Sequence, residues 1–128
     1  MIVFDASVLI AYLDADNALH VAAETLLATA IDDDFGANSL TLAEVLVVPA
    51  RTGQMEAVQS ALREIEMNEL QFPSDTAAHL ARLCAGTGLK MPDCCVLLAA
   101  EDRHATIASF DDRLVQAAQD RNLAVLRD

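Results

Sequence analysis

The 128-residue chain is poor in the residues that mark unusual architectures: it has no tryptophan, four glycines, three prolines and three cysteines. So little glycine and proline excludes collagen-like and low-complexity chains. A sparse, odd set of cysteines argues against a disulfide framework and favours a reducing compartment, so we expect a cytoplasmic protein. No apolar run approaches the roughly 17–25 residues of a membrane helix. The N-terminus meets an acid at Asp5 without a preceding basic segment, which is unlike a signal peptide.

Positive charge is also scarce. Eight Lys and Arg residues face 20 Asp and Glu residues, which gives a net charge of −12. A surface of this sign does not attract nucleic acid or anionic membranes by its overall field. If the protein acts on a polyanion, a metal ion or a partner must supply the positive charge. The 54% hydrophobic fraction nevertheless predicts a folded chain, and its length predicts one domain over residues 1–128.

The order of apolar segments favours an α/β fold. Short β-prone runs alternate with segments of helical periodicity, which is typical of a parallel sheet flanked by helices. We predict four to five strands in this sheet. The expected strands are 2–4, 35–38, 69–72, 105–109 and 123–126, and the expected helices are 6–13, 18–31, 40–50, 55–67, 76–85, 92–103 and 111–120. Ligands of such sheets bind beyond the carboxyl ends of the strands, so residues that follow strands are candidate site residues.

Several acids occupy these positions, and each alone has a structural explanation. Asp5 follows the first predicted strand and begins a helix, where an aspartate is a good N-cap. Asp111 and Asp112 follow a later strand in the same way, and Ser109 is a further possible cap. Asp93 follows Pro92 in a first helical turn, where an acid complements the helix dipole.

Glu44 is harder to explain by capping. It is the only charge in the segment 40–50, which we predict to be a buried helix. Leu40, Val47 and Val48 lie three or four residues away, so they share its helix face. A buried carboxylate needs a partner or stays protonated. An ion pair with an arginine, a side chain reaching to the surface and a functional role all remain open.

The acids have more meaning as a set. Asp5 and Asp111 follow strand ends, and Glu44 and Asp93 lie near helix starts that approach the same edge of the sheet. Three or four converging carboxylates repel one another unless a cation lies between them. Mg²⁺ is bound by a few carboxylates and water, and it activates water and stabilises charge on a phosphoryl group.

Four segments together resemble the motifs of the PIN-domain nucleases, most closely the VapC-type toxins of toxin–antitoxin pairs. The segments are Val3–Ile10, Ser39–Leu46, Met91–Val96 and Thr106–Asp111. Each motif is short, but all four occur in family order across the whole chain. The resemblance therefore implies a PIN-like domain.

The resemblance also implies an activity and a site. The family's members are Mg²⁺- or Mn²⁺-dependent ribonucleases that hydrolyse RNA with a water activated by the metal. By motif position, Asp5, Glu44 and Asp93 would form the acidic, catalytic metal-binding core. Asp111 would be the fourth acid, with Asp112 as a rival because the loop register is uncertain by one residue.

Two supporting serines and three kinds of partner follow from the same resemblance. Ser7 would support the first acid by hydrogen bonding, and Ser109 stands where the family often has threonine, which also offers a hydroxyl. The family implies an RNA substrate, a VapB-type antitoxin whose C-terminal arm lies in the acidic groove, and a homodimer. A basic arm suits a protein with this charge, and no membrane is involved.

Two other function classes fit parts of the sequence. The same fold could act as a catalytically inactive module that only binds a protein partner. A phosphoacceptor domain also places acids at strand ends, but it needs a lysine after a late strand. The only lysine, Lys90, precedes a predicted helix instead.

The remaining polar residues give weaker indications. Cys84, Cys94, Cys95 and His79 lack the spacing of paired zinc ligands, so we do not expect a zinc site. Lys90, Arg51 and Arg113 are the cations nearest the motifs in sequence. They could contact substrate phosphates, although solvated surface is the usual setting of such side chains.

Overall fold

A computed structural model describes all 128 residues as three layers, with helices on both faces of a parallel sheet. The five strands are β1 (Ile2–Phe4), β2 (Phe35–Asn38), β3 (Met67–Leu70), β4 (Thr106–Ala108) and β5 (Val125–Leu126). The seven helices are α1 (Ala6–Leu13), α2 (His20–Thr29), α3 (Ser39–Thr52), α4 (Met55–Glu64), α5 (Thr76–Thr87), α6 (Met91–Arg103) and α7 (Asp112–Asp120). The predicted fold class is confirmed.

The strand order β3-β2-β1-β4-β5 places β1 at the centre of the sheet. All four pairings are parallel. β1 pairs with β4 so that Phe4 lies opposite Ala108. The two residues that follow, Asp5 and Ser109, therefore leave the sheet side by side.

Alternation along the strands divides the core into two clusters. Phe4 and Ala108 face one side, where they pack with buried residues of α1 and α2. Val3 and Ile107 face the other side and pack against α6 and α7. A side-chain period of two along a strand produces this division, and both faces of the sheet are covered, as expected of parallel sheets.

One predicted boundary is wrong by several residues. The helix expected to reach residue 67 ends at Glu64, and β3 begins at Met67 rather than at residue 69. Glu66 has a φ of 57°, a left-handed conformation that no residue inside an α-helix adopts. The chain therefore leaves the helix before this residue, and the apolar periodicity of the segment did not reveal the turn.

A helix does cover residues 40–50, but the prediction that this helix is buried is wrong. α3 extends from Ser39 to Thr52, but among its residues only Thr41 and Val45 are buried. Val47 is 44% exposed and Val48 is 61% exposed. The helix packs against the rest of the fold along one narrow stripe, which Thr41 and Val45 define because they lie four positions apart. Its many apolar residues lie mostly outside that stripe, so Glu44 is exposed rather than buried.

No single helix is long and apolar enough to cross a membrane. α5 and α6 meet the length and composition test only as a pair, and they are bent by 114° relative to each other.

Candidate active site

Asp5 is the one buried charged residue, and it lies at the carboxyl edge of the sheet where β1 ends, with 5% of its surface exposed. Its Oδ1 accepts hydrogen bonds from the Ser7 hydroxyl at 2.6 Å and from the Val8 amide at 3.3 Å. Its Oδ2 accepts a hydrogen bond from the Ser109 hydroxyl at 2.5 Å. Asp5 therefore caps α1, as one interpretation of the sequence predicted, and is also fixed by two hydroxyl groups.

The two serines connect Asp5 to the loop after β4. The Ser7 Oγ accepts a hydrogen bond from the Phe110 amide at 3.1 Å, and the Ser109 Oγ accepts one from the Asp111 amide at 2.9 Å. Each hydroxyl thus donates to Asp5 and accepts from the β4–α7 loop. This network fixes the distance between the first and the fourth acid.

Asp111 and Asp112 have different surroundings. Asp111 is the N-cap of α7, and its Oδ1 accepts hydrogen bonds from the Arg113 amide at 2.9 Å and the Leu114 amide at 3.2 Å. Asp112 is bound to Arg127, with 2.6 Å between Oδ1 and Nη2. Of the two rivals, the structure places Asp111 at the site and directs Asp112 to the surface.

Glu44 and Asp93 are carried by helices that begin near the same edge. α3 starts at Asn38, whose Oδ1 accepts a hydrogen bond from the Thr41 amide at 2.9 Å. Glu44 follows one turn after Thr41, on the side that faces the site. Asp93 is in the first turn of α6, where Pro92 is compatible with the helix start.

All four acids line one small cavity of about 180 Å³. Glu44 is exposed to solvent at this cavity, whereas Asp5 is buried. Its lining comprises Asp5, Ala6, Ser7, Thr41, Glu44, Pro92, Asp93, Val96 and Asp111. The acids that the sequence placed at one edge of the sheet are therefore together in space.

The carboxylates of this cavity hold their protons more strongly than usual. Desolvation is the main cause that raises the pKa of Asp5, Glu44 and Asp93, although the exposed Glu44 is only partly withdrawn from water. Neighbouring negative charge adds to it: Asp111 acts on Asp5 and on Asp93, and Asp93 acts on Glu44. Hydrogen bonds from Ser109, Ser7 and Val8 oppose the increase at Asp5.

Compensating positive charge is weak at the cavity. None of the four acids forms an ion pair with a lysine, arginine or histidine. Arg113 and Lys90 are close enough to lower the pKa of Asp93, but burial and the other acids outweigh them. Arg51 lies in the last turn of α3 and has no such effect. The ion pair suggested for Glu44 is therefore absent.

The donor set of the cavity suits a hard divalent cation, which prefers carboxylate and water oxygens. As the side chains stand, however, no three acidic, histidine or cysteine side chains are close enough to hold a metal together. Asp5 is fixed by its hydrogen bonds, whereas Glu44 makes none and is exposed. Binding a cation would therefore require Glu44 and Asp93 to turn toward Asp5. The hydrogen bonds to Asp5 would orient that ligand for the cation.

The cysteines and histidine that resembled a zinc set do not come together as four ligands. Cys84 and Cys94 are in contact, while His79 binds Glu101 and Cys95 lies in the core. Burial raises the pKa of the Cys94 thiol to about 11, so it is protonated at neutral pH.

Two residues of the site were missed in the sequence. Asn38 caps the helix that carries Glu44, and Thr41 lines the cavity; both are 1% exposed. The Nδ2 of Asn38 is the one buried side-chain polar atom without a hydrogen-bond partner. An asparagine three residues before a threonine at the start of an apolar segment is an N-cap signal that could have identified the pair.

The PIN domain family model matches residues 2–120. The match covers most of the chain, and the chain belongs to the PIN domain family. No curated protein matches it in a sequence search.

Solved structures of similar fold agree with this assignment. FitAcB from Neisseria gonorrhoeae has 19% sequence identity and a TM-score of 0.74, with 99% of this chain and 97% of that chain covered. VapBC2 from Rickettsia felis, bound to a promoter DNA fragment, has 16% identity and a TM-score of 0.71, covering 98% and 97%. VapC20 from Mycobacterium tuberculosis, described as a toxin that cleaves the sarcin–ricin loop, has 16% identity and a TM-score of 0.70, covering 91% and 95%. At these identities the likeness concerns the fold.

Proposed function

We propose that this protein is a metal-dependent endoribonuclease that serves as the toxin of a toxin–antitoxin pair. The observation that carries the proposal is the cavity in which Asp5, Glu44, Asp93 and Asp111 meet without a cationic partner. A fold does not keep several repelling carboxylates together for stability alone, because replacing them would relieve the repulsion. Perturbed acids in a cleft are typical of functional sites.

The three acids Asp5, Glu44 and Asp93 would hold Mg²⁺ or Mn²⁺, and Asp111 would complete the negative end of the cavity. When bound, such a cation supplies a Lewis acid that activates water and neutralises charge developing on a phosphodiester. The protein's own part is to fix the geometry: Ser7 and Ser109 orient the carboxylate of Asp5.

Two basic residues near the cavity help to explain how a chain of charge −12 could act on RNA. Arg113 and Lys90 are the cations whose charge is felt at Asp93. Neither forms an ion pair with an acid, so both could contact phosphates of a bound RNA. The cation between the acids would provide the remaining positive charge.

We also propose that an antitoxin of the VapB type binds beside the acids. An apolar groove of about 450 Å³ between α1 and α3 supports this, because its lining includes Glu44. Ile10 and Val48, both largely exposed, lie along it. An antitoxin arm with apolar side chains in this groove and a basic residue at the acids would block the site. We further propose a homodimer, supported by the other exposed apolar residues of α3, and action in the cytoplasm.

The test is cleavage of RNA by the purified protein in Mn²⁺, with the Asp5→Asn variant as the control. We expect the wild-type protein to cut RNA only with the divalent cation, and the variant to cut it neither with nor without. Expression of the wild-type chain, but not of the variant, should arrest growth of a host that lacks the antitoxin. A wild-type protein that neither cuts RNA nor arrests growth would contradict the proposal and favour an inactive binding module.

A further inference from the structure

The cysteine pair Cys84 and Cys94 has no role in the proposed reaction, yet its two sulfur atoms are only 3.1 Å apart. Cys84 is near the end of α5, and Cys94 is in the first turns of α6. A third sulfur, the Sδ of Met91, lies 3.9 Å from the Cys84 Sγ. The third cysteine, Cys95, is next to Cys94 in sequence but is not part of this contact, since it points to another side of the helix.

We infer that Cys84 and Cys94 form a reversible oxidation site, in which a peroxide joins them in an intramolecular disulfide. The sulfurs need to approach by only about 1 Å to reach a disulfide bond length of about 2.05 Å. The short connection between α5 and α6 keeps the two helices together, so a small shift of the first turn of α6 suffices to join the sulfurs.

Exposure decides which thiol reacts first. Cys84 is partly exposed, whereas Cys94 is buried, so the peroxide meets Cys84. Its Sγ takes one oxygen as the peroxide O–O bond breaks, which gives a sulfenic acid and one water. The Cys94 sulfur then attacks the Cys84 Sγ; the S–S bond forms, the S–O bond breaks, and hydroxide leaves with the proton of Cys94 as a second water. Contact between the sulfurs favours this step, because the attacking atom already lies beside its target.

The position of Cys94 gives this oxidation a consequence. Its neighbour in the chain is Asp93, which lines the acidic cavity. A disulfide would pull the first turn of α6 toward α5, and displacements of about 1 Å at a site reduce activity strongly. This consequence rests on the proposed function, whereas the disulfide itself does not. We expect oxidation to weaken Mn²⁺ binding about tenfold, as a disturbed ligand support does.

The disulfide is tested on the full chain, first reduced and then treated with hydrogen peroxide. Intact mass should fall by two hydrogens, and alkylation in denaturant should then label one cysteine instead of three, until dithiothreitol restores all three. Cys84→Ser should abolish this loss of two hydrogens. Cys95→Ser, the matched control, should still show it. Three free thiols after treatment, covalent dimers, or a disulfide that persists in Cys84→Ser would overturn the inference.

The consequence is tested by titrating Mn²⁺ into the reduced and the oxidised protein. Weaker binding to the oxidised form, reversed by dithiothreitol and absent in Cys84→Ser, supports it. Equal binding to both forms would overturn the control of the site while leaving the disulfide and the proposed function. Binding to neither form would overturn both the control of the site and the proposed metal dependence, while the mass measurement would still stand.

Discussion

The two ends of α6 each carry an acid, and their surroundings are opposite. Glu101, in the last turns, is bound by both Arg121 and His79, with 3.2 Å between its Oε2 and the Arg121 Nη2 and 3.6 Å to the His79 Nε2. Asp93, in the first turn, has no ion pair and faces other acids. The fold therefore has the means to compensate a carboxylate and uses it at one end only. The contrast supports the proposal that Asp93 is kept for a cation, whereas Glu101 is paired within the fold.

The largest expected effect comes from neutralising each of these acids in turn. Asp93→Asn should reduce RNA cleavage about a thousandfold, since a metal's contribution is several kcal/mol, and leave the free energy of unfolding unchanged or higher. Glu101→Gln should leave cleavage within about twofold but destabilise the fold by about 1 kcal/mol, because charged hydrogen bonds at a partly exposed pair are lost. Cleavage rates measure the effect on activity, and urea unfolding measures the effect on the free energy of unfolding. Equal effects of the variants on activity would remove the distinction.

A second prediction concerns the support of the uncompensated end. Ser109→Ala removes a donor to Asp5 and an acceptor for the Asp111 amide. We expect Mn²⁺ affinity to fall about 10–100-fold, as for other supports of metal ligands. Ser109→Thr, which keeps the hydroxyl, should retain most of the affinity. Calorimetry on both variants checks this, and an alanine variant with wild-type affinity would show that the network is not needed.

Asn38→Ala should have a moderate effect on stability. The variant loses the N-cap of α3 and should unfold with about 1 kcal/mol less free energy. Asn38→Ser, which keeps a capping oxygen and removes the unpartnered Nδ2, should be less destabilising. Thermal unfolding compares the three proteins. An alanine variant as stable as the wild type would show that packing alone fixes the start of α3.

The smallest expected effect is a gain in stability without metal. Glu44→Gln removes a repelled charge that makes no hydrogen bond, and we expect about 0.5 kcal/mol of stabilisation at pH 7, or about 2 °C in Tm. The matched control Glu56→Gln, in the first turn of α4, removes a charge that the helix dipole favours and should be slightly destabilising. Calorimetric scans in a chelator measure both shifts. A Glu44→Gln variant that is less stable than the wild type would mean that this carboxylate has a partner in solution.

The same variant also tests how the free energy of unfolding depends on pH. The pKa values of Asp5, Glu44 and Asp93 are raised in the folded state. At pH values just above 4 the folded protein therefore holds more protons at these groups than the unfolded chain does. Their contribution to stability is greatest at low pH and is lost as pH rises through the raised pKa values. The stability of Glu44→Gln should fall less steeply with rising pH than that of the wild type, and a steeper fall would contradict the account.

Much of this fold follows from the sequence because its signals are local. The alternation of apolar segments, the caps and the prolines predicted all seven helices and five strands, although the boundary between α4 and β3 was misplaced because the turn at Glu66 has no distinctive residue. The burial of α3 could not be predicted, since the number of apolar residues does not reveal how many neighbours pack on them.

The acids at the site were predictable for a different reason. Asp5 and Asp111 follow strands, and parallel strands bring their carboxyl ends to one edge. The resemblance favoured Asp111 over Asp112, and the cavity includes Asp111 only, but periodicity alone could not separate them because the choice depends on a one-residue register in the β4–α7 loop. The contact of Cys84 with Cys94 also depends on the angle between two helices, which local sequence does not determine.

The central claim is that the acids of this cavity are uncompensated because they hold a divalent cation. Titration of Mn²⁺ into the wild-type protein and into Asp5→Asn, followed by calorimetry, tests it most directly. The account predicts saturable binding to the wild-type protein and none to the variant. Binding to the wild-type protein should be stronger at pH 7 than at pH 5, because protons compete with the cation for carboxylates whose pKa values are raised. Absence of binding to the wild-type protein, or equal binding to both proteins, would contradict it.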